Sequence, residues 1–358
     1  MFTKEENTLY NRHFILDKIG KKGQLKLKKS KVLVIGAGGL GCPILQYLTA
    51  AGVGTIGLID NDTVSRSNLQ RQILYTTEDI GKLKTNCAVR RLQQLNPFVN
   101  FKTYKALLTV ENAIELFSQY DIIVDGSDNF QTRYLSNDAA ILTKKPLVYG
   151  AIYKFEGQVS VFNYNNGPSY RCLFPTPPSA NSIPNCSDIG VLGVLPGIIG
   201  TLQANEVLKI ICELNGILSG KLLTLNSLSL QQNILQFSKT KNANITKLLD
   251  NYAVFCGIET NSFHEISPKE LKEELPTGNF TLLDVRKKIE RETFHIGGLH
   301  IPLHQLQDQM ALLKDIDTII VYCQVGQRSR IATKILLEKY PNKIIKNLTG
   351  GITAWSKL

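Results

Sequence analysis

The chain has 358 residues, which is enough for two or three domains, and its 43% hydrophobic and 20% charged content is typical of a globular protein. Residues 1–6 lack the apolar core of a signal peptide, and seven irregularly spaced cysteines do not suggest a disulfide framework. The longest apolar stretch, 190–211, contains proline, asparagine and glutamate, so it predicts a loop and a buried helix and not a membrane span. We therefore expect a protein of the reducing cytoplasm, without membrane partners.

Much of the formal net charge of +11 comes from a lysine-rich segment near the N-terminus. Its lysines are Lys18, Lys21, Lys22, Lys26, Lys28, Lys29 and Lys31. A basic surface attracts nucleotides, nucleic acid or acidic proteins, whereas the plainer alternative is a solvated helix face. No aromatic residues are interleaved with these lysines, so we expect no direct binding of nucleic acid.

A glycine-rich loop follows the first predicted strand. Residues 31–35 form a short apolar strand that runs into four loop glycines, Gly36, Gly38, Gly39 and Gly41. A helix-like segment follows, so main-chain N–H groups and a helix N-terminus would face phosphates. The next strand, 55–59, ends at Asp60, the usual distance for a carboxylate that binds ribose. The pattern predicts a nucleotide site for either NAD or ATP.

Charged residues at the following strand ends favour ATP. Arg71 and Lys84 can neutralise a triphosphate, and Asp128, after the strand 121–124, can hold Mg²⁺. A dehydrogenase site need not manage these charges, and the sequence shows no clear acid–base motif for hydride transfer. From the residues alone, two alternatives stay open: an NAD(P)-dependent Rossmann oxidoreductase and a non-catalytic scaffold.

Near the C-terminus, a cysteine lies between a predicted strand and a predicted helix. The apolar run 318–322 predicts a buried strand, Cys323 follows it, and 331–338 predicts a helix. The N–H groups of the turn would face the thiol and favour a thiolate or a persulfide anion. A buried structural cysteine is the alternative, but Gly326, Arg328 and Ser329 suit an anion cradle better than a packed core.

The larger, N-terminal part of the chain resembles the ThiF/MoeB/HesA family, the bacterial branch of ubiquitin-activating-type adenylating enzymes. The resemblance covers about residues 8–257 and rests on Asn11-Arg12, the glycine-rich loop and the segments 67–72, 128–133 and 156–159. The alternation of predicted strands and helices itself indicates an α/β fold, a Rossmann-like doubly wound sheet with an antiparallel extension. The resemblance also implies a homodimer, in which Arg12 reaches the triphosphate bound by the second subunit.

The resemblance also implies roles for the nucleotide-binding positions. Asp60 would bind the ribose, Asp128 would hold Mg²⁺, and the other matching residues, Asn68, Arg71, Lys84 and Asn129, would surround the phosphates. The implied reaction uses ATP to adenylate the C-terminal Gly-Gly carboxylate of a small ubiquitin-like protein, with release of pyrophosphate. An activator or scaffold limited to this adenylation remains an alternative.

The C-terminal part, about residues 265–358, resembles the rhodanese domain, which implies a small α/β fold. The matching motifs lie at 282–286, 295–302, 323–329 and 348–355. By this resemblance, Cys323 carries sulfane sulfur as a persulfide, Arg328 is an anion-binding neighbour, and Asp284 and Arg286 form a structural pair. We predict an adenylation domain at 1–257, a linker at 258–264 and a rhodanese-like domain at 265–358.

A second cysteine, Cys186, lies in a Pro-, Ser- and Asn-rich loop, where exposure is expected. In rhodanese-fused relatives a matching cysteine takes part in sulfur transfer. Our hypothesis is that a Cys323 persulfide captures the acyl-adenylate and that Cys186 then releases the thiocarboxylate, leaving a Cys186–Cys323 disulfide. An incidental loop thiol is the alternative. The pathway could serve molybdopterin, thiamin or a related product, with thiosulfate or a cysteine desulfurase as the sulfur source.

The structural zinc site that is usual in the ThiF/MoeB/HesA family is incomplete here. Its two Cys-x-x-Cys pairs have each lost the first cysteine, because Ser169 precedes Cys172 and Ala253 precedes Cys256. Two thiolates make a poor tetrahedral site. We therefore predict no zinc, and we expect Cys172 and Cys256 to pack as small apolar residues.

Overall fold

The computed structural model describes residues 1–178, 190–240, 244–257 and 264–358. The chain folds into two compact units, Met1–Ile258 and Glu259–Leu358. Among the described residues, no helix is both long enough and apolar enough to cross a lipid bilayer.

The first unit is built on an eight-stranded sheet whose spatial order is β3-β2-β1-β4-β5-β6-β7-β8. Its strands are β1 (Lys31–Ile35), β2 (Thr55–Ile59), β3 (Asn100–Tyr104), β4 (Ile122–Asp125), β5 (Leu147–Tyr153), β6 (Glu156–Phe162), β7 (Lys221–Asn226) and β8 (Gln232–Gln236). The first five strands run parallel, and β5 to β8 pair antiparallel. The predicted doubly wound sheet with an antiparallel extension is confirmed.

Helices cover both faces of this sheet. They are α1 (Lys4–Leu9), α2 (Asn11–Phe14), α3 (Gly20–Lys29), α4 (Gly41–Ala50), α5 (Lys84–Leu95), α6 (Val110–Ser118), α7 (Phe130–Leu142), α8 (Tyr170–Leu173), α9 (Leu195–Ile211) and α10 (Tyr252–Phe255). Side chains of β1 alternate between the two faces: Val32 and Val34 join one core, and Leu33 and Ile35 join the other. A continuous apolar run therefore gives a strand that is buried on both sides.

The second unit is a smaller sheet of five parallel strands in the order β11-β10-β12-β13-β9. The strands are β9 (His264–Ile266), β10 (Thr281–Asp284), β11 (Leu299–His300), β12 (Thr318–Tyr322) and β13 (Ile344–Leu348). The helices are α11 (Pro268–Glu274), α12 (Lys288–Thr293), α13 (Leu306–Gln309), α14 (Gln327–Lys339) and α15 (Gly351–Trp355). The predicted small α/β fold is confirmed.

One helix boundary differs from the prediction. The helix expected at 331–338 begins at Gln327, four residues earlier. Gly326 precedes it with φ +92°, a left-handed conformation that glycine adopts without steric cost. The chain therefore turns within a few residues of the end of β12, and the helix N-terminus comes close to Cys323.

Candidate active sites

The glycine-rich loop lies where the ends of β1 and β4 meet. A Cβ atom at Gly41 would lie 2.1 Å from the carbonyl oxygen of Gly36, so a side chain has no room there. Gly36 has φ +88°, and a Cβ atom added to it would lie 3.1 Å from the carbonyl oxygen of Gly126. Since β1 separates β2 from β4, this is a point where strand order reverses, the usual place for a nucleotide in such sheets.

Asp60, after β2, is hydrogen-bonded to the same loop. Its Oδ2 accepts from the main-chain N–H of Ala37 at 2.7 Å, and its Oδ1 accepts from the N–H of Asp62 at 2.8 Å. Each carboxylate oxygen can accept a further hydrogen bond. The structure thus places the predicted ribose-binding carboxylate beside the glycine-rich loop.

Two side chains lie over the middle of the loop. A Cβ at Gly39 would be 3.7 Å from Cγ of Arg71, and a Cβ at Gly38 would be 3.7 Å from Nε2 of Gln72. The Arg71 guanidinium donates to the carbonyl oxygen of Ser67 at 3.2 Å, and no carboxylate of the described residues forms an ion pair with it. Its remaining donors are available to phosphate oxygens.

Asn68 lies one turn before Arg71, in a short 3₁₀ helix. Its Oδ1 accepts from the N–H of Ser65 at 3.1 Å, which fixes the side chain within its own turn. The amide group is left with its two N–H donors, and these can bind phosphate oxygens.

Lys84 is buried at the start of α5, and Nζ binds Oδ2 of Asp62 at 2.9 Å. Sequence reasoning missed Asp62. The available signal was its position two residues after Asp60, at the same strand end. The aspartate fixes the position of the lysine while the ammonium keeps further donors free.

Asp128 and Asn129 lie between β4 and α7. The Asp128 side chain is exposed, whereas Asn129 caps α7 by accepting from the N–H of Thr132 at 2.9 Å. Beneath them, burial raises the pKa of Asp125, although the nearby charge of Arg133 and hydrogen bonds from Ser127 oppose the rise. An exposed carboxylate on a loop with a fixed base suits Mg²⁺ that arrives with a triphosphate.

Arg12 lies on α2 and is exposed, with no ion pair among the described residues. Its neighbours Leu9, Ile15 and Leu16 are also exposed, at 45%, 61% and 50%. In the single chain, this part of the surface therefore combines an available guanidinium with uncovered apolar side chains.

Cys323 is fully buried, and donors surround its sulfur. Sγ accepts from the N–H of Gly326 at 3.2 Å and from Oγ of Ser329 at 3.4 Å. The N–H of Ile352 donates to the Cys323 carbonyl oxygen at 2.9 Å, and a Cβ at Gly351 would lie only 2.3 Å from that oxygen. Donors directed at sulfur stabilise a sulfur anion, which ordinary core packing does not.

Two arginine–carboxylate pairs support this loop. Arg286 binds Asp284 through Nε and a terminal nitrogen, at 3.0 and 2.7 Å, and both residues are buried, so the predicted structural pair is confirmed. Arg328 binds both oxygens of Glu290, at 2.7 and 2.6 Å. Hydrogen bonds from Arg328 are the main reason that the pKa of Glu290 falls to about 2.

Glu290 was not recognised from the sequence. Its only signal was its place in the first turn of α12, four residues after Arg286. The predicted anion-binding Arg328 is in the expected loop, but its guanidinium already binds this carboxylate.

The two cysteines left from the family zinc pattern have different surroundings. Cys256 is buried in a hydrophobic cluster, and burial raises its pKa to about 11. Cys172 is partly exposed and accepts from the N–H groups of Ser169 at 3.3 Å and Thr240 at 3.4 Å. Burial would raise the pKa of Cys172, but these hydrogen bonds outweigh it and the pKa is lowered. The expectation of apolar packing is confirmed for Cys256 and wrong for Cys172.

Ser169 and Ala253 do not supply the two missing thiolates, and the described residues contain no group of three or more Cys, His, Asp or Glu side chains that could hold a metal. The donor set does not fit tetrahedral zinc. Cys186 lies outside the described residues.

Two family models match the two units separately, and a relative matches the chain as a whole. The ThiF family model matches residues 10–247, and the rhodanese-like domain model matches residues 267–358. A probable adenylyltransferase/sulfurtransferase, MoeZ of Mycobacterium tuberculosis, is 39% identical over 371 residues, covering 99% of this chain and 94% of the relative. A sulfur carrier protein adenylyltransferase of Thermus thermophilus is 48% identical over 268 residues, covering 72% of this chain and 99% of the relative.

Among solved structures, Escherichia coli MccB in complex with MccA-N7isoASN matches with a TM-score of 0.60 and 21% identity. The match covers 67% of this chain and 74% of MccB. At this identity the likeness shows a shared fold.

Proposed function

The chain belongs to the ThiF family and ends in a rhodanese-like domain, and from this premise we propose a two-step reaction on a small ubiquitin-like sulfur-carrier protein. In the first step, ATP adenylates the carrier's C-terminal Gly-Gly carboxylate. In the second, a persulfide on Cys323 converts the acyl-adenylate into a thiocarboxylate. The relatives that match the chain are named for these two activities. Molybdopterin, thiamin or a related sulfur-transfer pathway would use such a product.

The observation that carries the first step is the set of charges around the glycine-rich loop. Arg71 has no carboxylate partner among the described residues, and the exposed Asp128 can hold the Mg²⁺ that accompanies the nucleotide. Lys84 and Asn68 complete the phosphate surroundings, and Asp60 faces the ribose. The carrier carboxylate attacks the α-phosphorus, the bond to pyrophosphate breaks, and acyl-AMP forms. The protein needs to align these groups and neutralise charge, so no side-chain nucleophile is required.

The second step uses the sulfur-binding turn. The outer sulfur of the Cys323 persulfide attacks the acyl carbon, and AMP leaves with the bonding electron pair. The product is an acyl disulfide between the carrier and Cys323. The Cys186 thiolate then attacks Sγ of Cys323, so the thiocarboxylate leaves and a Cys186–Cys323 disulfide remains. A cellular dithiol reductant restores both thiols with two electrons. Donors to the sulfur, from Gly326 and Ser329, support the anionic state that both attack and departure need.

We propose that the enzyme is a cytoplasmic homodimer in which Arg12 completes the partner's nucleotide site. The exposed Leu9, Ile15 and Leu16 beside Arg12 would be covered by the second subunit. Mixing Arg12→Ala with Asp128→Asn subunits tests this arrangement. Heterodimers would contain one intact site, so activity should return to about a quarter of the wild-type level. Activity that stays at the sum of the separate variants contradicts a shared site.

The antiparallel extension is the surface that we propose for the carrier. Phe155, Leu228, Leu230, Ile234 and Leu235 are between 42% and 69% exposed on and around β6 to β8. Scattered exposed side chains are ordinary, but a set this large on one sheet edge is typical of a protein-binding surface.

The decisive experiment incubates the full chain with ATP, a sulfur source and candidate carriers ending in Gly-Gly. Mass spectrometry should show one carrier gaining the mass difference of sulfur for oxygen. Cys323→Ser should keep carrier-dependent exchange between pyrophosphate and ATP and lose the thiocarboxylate. Asp128→Asn should lose the exchange. Reduction of NAD(P) without any exchange would favour the oxidoreductase, and exchange without sulfur incorporation would favour an adenylation-only activator.

A further inference from the structure

Every arginine that flanks the Cys323 turn is already bound to a carboxylate. The pairs are Arg286 with Asp284, Arg328 with Glu290, and Arg330 with Glu265. Each contact is a hydrogen-bonded ion pair of 2.6 to 2.7 Å. Arg291 also lies 3.7 Å from Asp284, so within the described part of the chain four arginines share three carboxylates. Each of the four has a carboxylate partner, and the turn itself offers N–H and O–H donors to sulfur.

The Arg328–Glu290 pair is partly exposed and is also within electrostatic range of Cys323, and we therefore call it the mouth of the turn. The Arg328 and Glu290 side chains are 33% and 29% exposed, whereas Arg286 and Asp284 are almost completely buried. The pKa of Arg328 is raised first by its hydrogen bonds to Glu290, and the charge of Cys323 adds a smaller contribution. Arg328 thus lies within electrostatic range of the sulfur. Because the pKa of Glu290 is about 2, its carboxylate stays ionised at neutral pH.

We propose that Glu290 is a specificity-determining residue that selects against small dianionic sulfur donors, of which thiosulfate is the simplest. The proposal rests on the proposed role of Cys323 as the sulfur carrier. Glu290 binds both terminal nitrogens of Arg328 and adds its own negative charge at the mouth. A donor with little or no charge, such as a persulfide R–S–SH, does not need a free Arg328 for binding and is not repelled by Glu290.

The loading step has the same bond changes for both donors. The Cys323 thiolate attacks the outer sulfur of R–S–SH, the donor S–S bond breaks, and RS⁻ leaves with the electron pair. With thiosulfate, the leaving group is sulfite, which carries two negative charges. No external oxidant or reductant takes part in either case. The two reactions differ in the charge of the donor and of the leaving group. The Glu290 carboxylate repels a dianion that passes Arg328 and Glu290, and it has little effect on an uncharged donor.

The variant Glu290→Gln tests the proposal with little change of shape. Its amide oxygen can still accept from Arg328 and from the N–H of Lys287, which Glu290 binds at 3.0 Å. We expect KM for thiosulfate, measured by sulfur transfer to cyanide, to fall about tenfold with a much smaller change in kcat. With the persulfide of 2-mercaptoethanol as donor, which has no ionisable group besides its sulfur, kcat/KM should stay within about twofold. The matched control Glu265→Gln removes the same charge from the Arg330 pair and should alter neither donor.

An unchanged KM for thiosulfate in Glu290→Gln would overturn the proposal, as would a parallel change for both donors. An equal effect of Glu265→Gln would also overturn it, because the cause would then be net charge and not position. Cys323→Ser separates this result from failure of the proposed function. If that variant still loads sulfur from either donor, the sulfur carrier is elsewhere and both proposals fail. If only Cys323→Ser is inactive and Glu290→Gln resembles wild type, the donor selection alone fails.

Discussion

The two candidate sites use positive charge in opposite ways. Around the glycine-rich loop, Arg71 binds only a main-chain carbonyl and Arg12 is exposed without an ion pair in the described parts of the chain. Around Cys323, Arg286, Arg328 and Arg330 are all held by carboxylates. A triphosphate brings several negative charges and requires cations that have no other partner. A single sulfur anion is stabilised by N–H and O–H donors alone, and arginines nearby can serve as supports.

Because of this difference, we expect substitution of an arginine to have different consequences in the two units. Removing a cation that has no carboxylate partner removes an interaction with the ligand. Removing one half of a buried ion pair leaves the other half as an uncompensated charge, which costs stability. Substitutions around the glycine-rich loop should therefore change the rate of adenylation. Substitutions in the buried ion pairs should change the free energy of unfolding.

The largest effect is expected from Arg71→Ala. Because Arg71 is proposed to stabilise the charge that develops on the phosphates, kcat/KM for pyrophosphate exchange should fall by about two to three orders of magnitude. Arg71→Lys keeps the charge without the planar pair of donors and should fall in between. Sulfur transfer from Cys323 to cyanide, measured on the same preparations, should not change. A loss of both activities would show that the variant disturbs the fold and not the nucleotide.

The next largest effect is expected on stability, from substitution of the two buried aspartates Asp138 and Asp284. Asp138 accepts from Arg171 at 2.7 and 2.8 Å and from the Tyr252 hydroxyl at 2.7 Å, and Asp284 holds Arg286 in the second unit. Asp138→Asn and Asp284→Asn should each lower the free energy of unfolding by about 3–5 kcal/mol.

Hydrogen exchange measured along the chain locates the effect of each variant. Asp138→Asn should reduce protection within residues 1–257, and Asp284→Asn should reduce it within residues 265–358. The surface pair Lys288–Glu292, with side chains 84% and 62% exposed, offers a control: Glu292→Gln should change stability by less than about 1 kcal/mol. A loss of protection far from the substituted pair would contradict separate cores.

The sequence predicted those features that depend on local pattern. Strands β1, β2 and β12 begin and end where their apolar runs do, and the turns that carry the glycine-rich loop and Cys323 follow directly. The sequence did not predict which side chains form ion pairs with each other across the fold. Glu290 and Arg328 are 38 residues apart and meet only because β10 and β12 are neighbours in the sheet. The roles of Asn68, Lys84, Asn129 and the other site residues in binding stay predictions.

Cys172 shows why a pattern of residue types could not predict chemistry at one position. Nothing in the local pattern indicated that the N–H of Thr240, 68 residues later, would contact its sulfur. The hydrogen bonds to Cys172 resemble those to Cys323, where Gly326 and Ser329 donate. The first unit thus contains another sulfur with directed donors, and its sequence neighbour Arg171 is likewise paired with a carboxylate, that of Asp138.

The smallest of the expected effects concerns this thiol. Because the pKa of Cys172 is lowered, its rate of alkylation should level off at a lower pH than that of an ordinary thiol. Cys256, with a pKa of about 11 and little exposure, should react at least about tenfold more slowly at pH 8. Iodoacetamide labelling followed by peptide mass spectrometry measures both sites in one sample. A chelator should leave both rates unchanged, because two thiols do not make a zinc site. If Cys172 becomes reactive only after chelation, a metal is bound there, and the prediction of a zinc-free protein is wrong.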